Sequence, residues 1–326
     1  MLDDLVIQFF SLHPRREVAV YLLLTGKKTL STLYSALQHN QLQWLQLLPD
    51  LGRDEYQAAV ARLVAQRAVA RQASGIVLTD PARQAEARQR VPLPQAFRAE
   101  WGASAFDQRL SLAVQVLSEA QFKNRRYQPV TNDWHTQQRV RQWTRHVNAK
   151  AVVAELTAAF AALPTAQADR LARRFVAHGF VGDARADGLA AHLADLDAVS
   201  ALIAQLVAHP EWAQLNALWG GPVALFSPSS YQAVALADQG VARAAIAAQL
   251  RLKPSTVNEH LLAATIMGWQ PPIAQLIPAP VRAALAGQSD PHEQDYQKLL
   301  AAVPTSDFFA VRLFQILMLQ GRWPND

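Results

Sequence analysis

Cysteine is absent from all 326 residues. Disulfides, thiolate metal sites and cysteine nucleophiles are thereby excluded, and the usage fits a reducing compartment. Charge is sparse as well: 17% of residues are Asp, Glu, Lys or Arg, against 51% hydrophobic. That composition supplies real cores and excludes a chain that is mostly disordered. Apolar runs are short, and none reaches the roughly 18 uninterrupted residues expected of a bilayer span. The opening MLDDLVIQFF carries Asp3 and Asp4 where a signal peptide needs basic residues. The expectation is a soluble, cytoplasmic protein without membrane contact.

Chemistry-bearing motifs are missing too. There is no P-loop, no GxGxxG and no HExxH, and no two histidines are spaced i,i+4 for a metal. The nine histidines are scattered. Asp195 and Asp197 are close in sequence, but two residues apart on a helix they point in different directions. Ser255, Glu259 and His260 share one segment without forming a triad. We expect no catalytic residue, no metal, no cofactor and no small-molecule substrate, and hence no enzyme.

What is present is helical patterning and an uneven charge. The net charge of +5 is concentrated: residues 101–150 hold 8 Lys and Arg against 3 Asp and Glu, whereas residues 227–326 hold 7 of each sign. A grip on phosphates needs local positive charge, so the basic character lies in the middle of the chain.

Residues 227–267 read as three short helices with a tight turn. The first spans 231–238 and is stopped by Gly240, since glycine tolerates the left-handed conformation past a helix end. The second spans 242–250, with Ile246, Ala247 and Leu250 on one face. Lys253 and Pro254 break the pattern, and Ser255 is the expected N-cap of a third helix. Val257, Leu261 and Ala264 point inward there, while Thr256, Asn258, Glu259 and His260 are more exposed. This is a helix-turn-helix layout. Lys253, Ser255, Thr256, Asn258 and His260 are its candidate contacts to bases and phosphates. The alternatives are an ordinary three-helix packing unit or a helix-turn-helix that contacts protein.

The first 95 residues carry helical patterns at 16–25, 29–37 and 54–66, then a short alternating stretch from Val69 to Leu78 turned around Gly75. Three helices and a hairpin suggest a winged helix, with Lys27, Lys28 and Arg71 available to phosphates or, equally, a protein-docking module. Val91-Pro92-Leu93-Pro94 is the expected linker, because two prolines prevent a continuous helix. An amphipathic helix over 106–120 leads into the loop Phe122-Lys123-Asn124-Arg125-Arg126-Tyr127-Gln128-Pro129. Thr131 or Asn132 is the expected cap of the next helix, 135–146, with Arg139, Arg141 and Arg145. Lys123, Arg125 and Arg126 are the candidate phosphate contacts here, with bases on Phe122, Tyr127, Trp134 or Trp143. The plainer reading makes these rings core and the arginines a solvated face. Helices are expected at 169–178, 186–196, 197–209, 290–303 and 308–319. Four prolines (Pro271, Pro272, Pro278, Pro280) mark a broken segment before the last two. The final helix, apolar on most sides, is buried in its own fold or in a partner.

The segment 101–147, with LSLAVQVLSEAQFKNRRYQPVTND and then TQQRVRQW, is similar to the middle region of the YpbB family of Firmicutes. Residues 231–269, with Ile246-Ala247, Ser255-Thr256-Val257 and His260-Leu261, resemble that family's helicase-associated helix-turn-helix, a domain type also found at the carboxy-terminal end of some RecQ-type helicases. Chain length and order agree with the family as well. The resemblance implies a mainly α protein with a winged-helix-like domain at 1–95, a helical middle domain at 96–226 and the helix-turn-helix domain at 227–326. It further implies a non-enzymatic accessory of a RecQ-type DNA helicase, contacting the helicase and DNA in repair or recombination. A helix-turn-helix transcription regulator is the alternative. The third helix departs from a typical DNA reader in having no Arg or Lys after Lys253.

Overall fold

The computed structural model describes residues 1–184, 186–288 and 296–324. The chain is mainly helical, and among the described residues its one sheet is a two-stranded antiparallel hairpin. Two compact units emerge: Met1–Pro14 with Gly52–Val223, and Arg15–Leu51 with Ala224–Asp326. They cut across the continuous division expected from sequence. Helices Glu17–Leu24 and Leu30–Gln38 belong to the second unit, whereas helix Arg53–Ala65 and the hairpin belong to the first. The Val91–Pro94 segment lies inside the first unit.

In the first unit the opening residues are core. Leu5, Val6, Ile7, Phe9 and Phe10 are buried, on helix Leu2–Val6 and the turn after it. Buried polar groups there are satisfied: Gln84 Nε2 donates to the carbonyls of Ile7 and Phe10 at 2.8 Å each, and Gln8 Nε2 to that of Val91 at 2.8 Å. Burial pushes the Asp4 carboxyl up, but the 2.7 Å bond and the charge of Arg83 outweigh it and leave it below the usual range. The hairpin pairs Val69–Gln72 with Gly75–Leu78 across the two-residue turn Ala73–Ser74.

Helix Pro81–Arg90 follows the hairpin, and beyond it the described helices of the unit are Ala103–Gln121, Trp134–Thr144, Ala149–Ala161, Thr165–Ala172, Leu189–Ala208 and Ala213–Trp219. The two helices expected at 186–196 and 197–209 are one, because no glycine or proline interrupts them. The helix expected at 169–178 instead runs Thr165–Ala172, entered directly after Pro164. Leu189–Ala208 averages apolar enough to cross a membrane by length and composition, which the search for uninterrupted runs had missed. Its Leu193, Val199, Leu202, Ile203 and Leu206 are buried against helices of its own unit, including Ala103–Gln121. It is the unit's core helix.

The second unit is built around helix Pro254–Ile266, which packs on helices Leu30–Gln38, Pro228–Asp238, Arg243–Leu250 and Phe308–Leu319. Phe308–Leu319 has the expected bounds, and Phe309, Val311, Leu313, Phe314, Ile316 and Leu317 are buried within this unit. Of the helix expected at 290–303, residues 296–302 are helical and 290–295 lie outside the described residues. In the expected broken segment Pro272 and Pro278 are the N-caps of short helices and Pro280 stands in the first turn of Ala279–Ala286, where a proline lacks only an N–H that would go unbonded. At Gly26 φ is +82° and an added Cβ would stand 2.7 Å from Gln46 Cγ, so both backbone and neighbour require glycine.

Candidate nucleic-acid interface

Helices Pro228–Asp238, Arg243–Leu250 and Pro254–Ile266 form the three-helix layout expected from sequence. Gly240 (φ +80°) ends the first. Arg251 ends the second in the left-handed region, with the Leu252 N–H donating to the Ala247 carbonyl at 2.9 Å. The third helix begins two residues earlier than expected: Lys253 is the N-cap and Pro254 opens the helix, so Ser255 does not cap it.

The side chains of that third helix divide sharply. Lys253, Ser255 and Glu259 are exposed, Thr256 is half-buried, and Val257, Leu261, Leu262, Ala263, Thr265 and Ile266 are core. Asn258 accepts from Arg243 Nη1 at 2.9 Å, and Arg243 Nη2 donates to Asp307 at 2.7 Å. His260 sits between two serines, with Nδ1 3.0 Å from Ser230 Oγ and Nε2 3.3 Å from Ser229 Oγ. Asn258 and His260 thus hold helices together. Only Lys253, Ser255 and Thr256 of the five candidates here present a side chain without such a bond among the described residues.

Burial holds the His260 imidazole below its ordinary value, with Glu259 pulling weakly the other way. The folded state therefore binds this proton less readily than the unfolded chain does. Its contribution to stability is full above the unfolded value of about 6.5 and declines as pH falls through the lower folded value. We expect chemical denaturation of the wild type to show this loss as pH falls below the unfolded value of about 6.5, and His260→Gln to flatten it. An unchanged slope in the variant removes His260 as the cause.

The basic loop lies in the first unit. Its backbone is pinned to helix Ala103–Gln121: Asn124 Nδ2 donates to Glu119 Oε2 at 2.6 Å, Gln115 Nε2 donates to the Gln128 carbonyl at 3.0 Å, and Gln115 Oε1 accepts from the Val130 N–H at 2.9 Å. Burial raises the Glu119 carboxyl, but hydrogen bonds from His178 and Asn124 pull it lower overall. Lys123, Arg125 and Arg126 point outward, and among the described residues none has a carboxylate within ion-pair distance. Asp133, not Thr131 or Asn132, caps the next helix by accepting from the Thr136 N–H at 2.7 Å; its place directly before Trp134 puts the carboxylate in reach of that amide. Arg139, Arg141 and Arg145 on this helix are exposed.

The rings separate into two kinds. Trp143 and Tyr127 are half-buried, and Trp143 Nε1 donates to the Gln214 carbonyl at 2.9 Å. Phe122 and Trp134 are 58% and 62% exposed. Phe122 stacks on His178 with centroids 4.3 Å apart. Trp134 lies two residues from Thr136, hence on the opposite side of the helix from the buried Thr136 and Val140. Sequence reasoning had favoured core for such rings; the helical wheel carried the signal against it for Trp134. The candidate missed entirely was Arg109, on helix Ala103–Gln121, whose guanidinium is half-buried close to Arg139. Thirty residues separate the two, so no local motif announces them.

Asp195 and Asp197 do diverge. Asp195 pairs with Arg170 and Arg174, while Asp197 accepts from the Ala96 N–H at 2.8 Å and Gln167 Nε2 at 3.0 Å. Among the described residues no three His, Asp or Glu side chains are grouped to hold a metal. Fold and site together define a mainly helical protein of two units, one with a cationic, ring-bearing loop and the other with three short helices joined by tight turns. No protein-family model, no curated protein and no solved structure matches the chain.

Proposed function

We propose that the protein is a non-enzymatic, cytoplasmic nucleic-acid-binding accessory whose first unit grips single-stranded DNA through the loop and helix at 122–145. The observation that carries this reading is the pairing of two solvent-exposed rings, Phe122 and Trp134, with cations that no carboxylate neutralises among the described residues. Large exposed rings are costly to leave in water and offer stacking faces to unpaired bases, while the guanidiniums track phosphates. The resemblance to the YpbB family supplies the partner, a RecQ-type helicase, and the setting, repair or recombination. In this reading the helix-turn-helix of the second unit docks protein. Its third helix carries no Lys or Arg beyond the capping Lys253, and Asn258 and His260 are engaged internally. The hairpin Val69–Leu78, read as a wing, is a further docking element. A transcription regulator finds less support, because its reading helix would have few side chains left for bases.

Fluorescence anisotropy with a labelled single-stranded oligonucleotide tests the grip. Binding is expected to weaken steeply with salt, and Arg125→Ala with Arg126→Ala to flatten the log–log slope by about 0.7 per lost phosphate contact. Absence of binding at low salt removes nucleic acid from the reading, and an unchanged slope removes this loop. Co-precipitation with the cognate RecQ-type helicase tests the partner.

A further inference from the structure

We infer that Arg109 and Arg139 form a seat for a single phosphate group beside Gly220. The inference goes beyond the grip proposed above, since it needs neither exposed ring. Gly220 follows helix Ala213–Trp219 in the left-handed region. A Cβ placed there would lie 2.8 Å from Arg139 Nη2 and 3.5 Å from Arg109 Nη1, so both guanidiniums rest against this one backbone position, side by side. Helix Ala103–Gln121 brings Arg109 and helix Trp134–Thr144 brings Arg139. Among the described residues neither has an ion-pair partner. Arg109 donates Nε to the Ala105 carbonyl at 3.2 Å, which orients the guanidinium and neutralises nothing.

Two like charges gathered at one backbone position repel unless something offsets them. The plain explanation is the carbonyl end of helix Ala213–Trp219, but such an end carries about half a negative charge at most. Well over one positive charge is left. The adjoining cavity, about 280 Å³, is lined by Arg139, Gln142, Trp143, His146 and Gln214 among others, with no acid in its wall. The other arginine-rich cavity of this unit shows the contrast: Arg170, Arg173 and Arg174 there face Asp169, Asp183 and Asp195. Of these two places, the Gly220 seat is the one left positive. Its donors are planar N–H forks suited to a tetrahedral oxyanion, and Gln142 and His146 line the adjoining wall. A phosphate can arrive free in solution or as part of a nucleic-acid backbone, and the shared chemistry is the same.

Titration calorimetry and ³¹P line broadening with inorganic phosphate, at ionic strength held constant with chloride, test the seat without nucleic acid. The wild type and an Arg53→Gln control are expected to bind phosphate, and Arg109→Gln and Arg139→Gln to weaken it at least tenfold. Circular dichroism confirms that each variant is folded. A single-stranded oligonucleotide that displaces the phosphate, where its methylphosphonate analogue does not, identifies the backbone as the occupant. Failure of both to displace it identifies free phosphate. Phosphate binding that is absent, or indifferent to both arginines, overturns the seat. That result leaves the ring-dependent grip standing, since the grip is read with Phe122 and Trp134 variants.

Discussion

Arg174→Ala is expected to lower the stability of the first unit by about 3–5 kcal/mol. Arg174 follows helix Thr165–Ala172 and is only 9% exposed. Its Nη2 lies 3.0 Å from Asp107 on helix Ala103–Gln121, and its Nη1 3.1 Å from Asp195 on the core helix Leu189–Ala208. One cation thus clamps three elements. Removing it takes a positive charge away from two buried carboxylates at once, Asp107 and Asp195, of which Asp195 keeps Arg170 at 3.1 Å. The cost comes from leaving buried carboxylates short of positive charge more than from the lost attraction. For a unit of this size the loss corresponds to roughly 6–20 °C in the unfolding midpoint. Differential scanning calorimetry reads it, with the second unit's transition as an internal reference. Arg174→Met combined with Asp107→Leu is expected to recover most of the loss, since an apolar pair strands no charge. A single variant within 1 °C of wild type shows that the clamp is solvated and contributes little.

The sequence disclosed what is encoded locally. Helix Phe308–Leu319 was legible because its apolar residues surround it, and the hairpin because Val69–Gln72 and Gly75–Leu78 are short stretches on either side of a tight turn. The helix-turn-helix layout followed from Gly240, Pro254 and the spacing of Ile246, Val257 and Leu261. Hidden from view was anything decided by partners far along the chain. Helix Leu30–Gln38 packs on Pro254–Ile266 more than two hundred residues later, and no local pattern encodes that choice. The fates of Asn258 and His260 turned on Arg243, Ser229 and Ser230, which their own helix does not reveal. The cationic loop was legible because its charges are consecutive, while the Arg109–Arg139 pair was not. Asp195 and Asp197 were separable in advance, since two residues on a helix turn the side chain through about 200°.

Trp134→Ala is expected to cut affinity for single-stranded DNA by about 1–3 kcal/mol, or roughly 5- to 150-fold, and Phe122→Ala to act in the same direction. The argument rests on exposure. Trp134 is 62% exposed, and its ring meets His135 edge-on with centroids 5.3 Å apart, leaving a face open to a base. Because little of the indole is buried, its removal costs the fold little, and the unfolding midpoint should stay within about 2 °C of wild type. Stacking is not a charge contact, so the salt slope should also stay put, in contrast to the Arg125 and Arg126 variants. Trp134→Phe is expected to keep most of the affinity, since any aromatic face stacks. Three readouts thus separate a stacking ring from a structural one: affinity falls, while slope and midpoint hold. If Trp134→Ala binds the oligonucleotide as tightly as wild type does, this ring is not a platform. If the midpoint falls along with affinity, its part is in the fold.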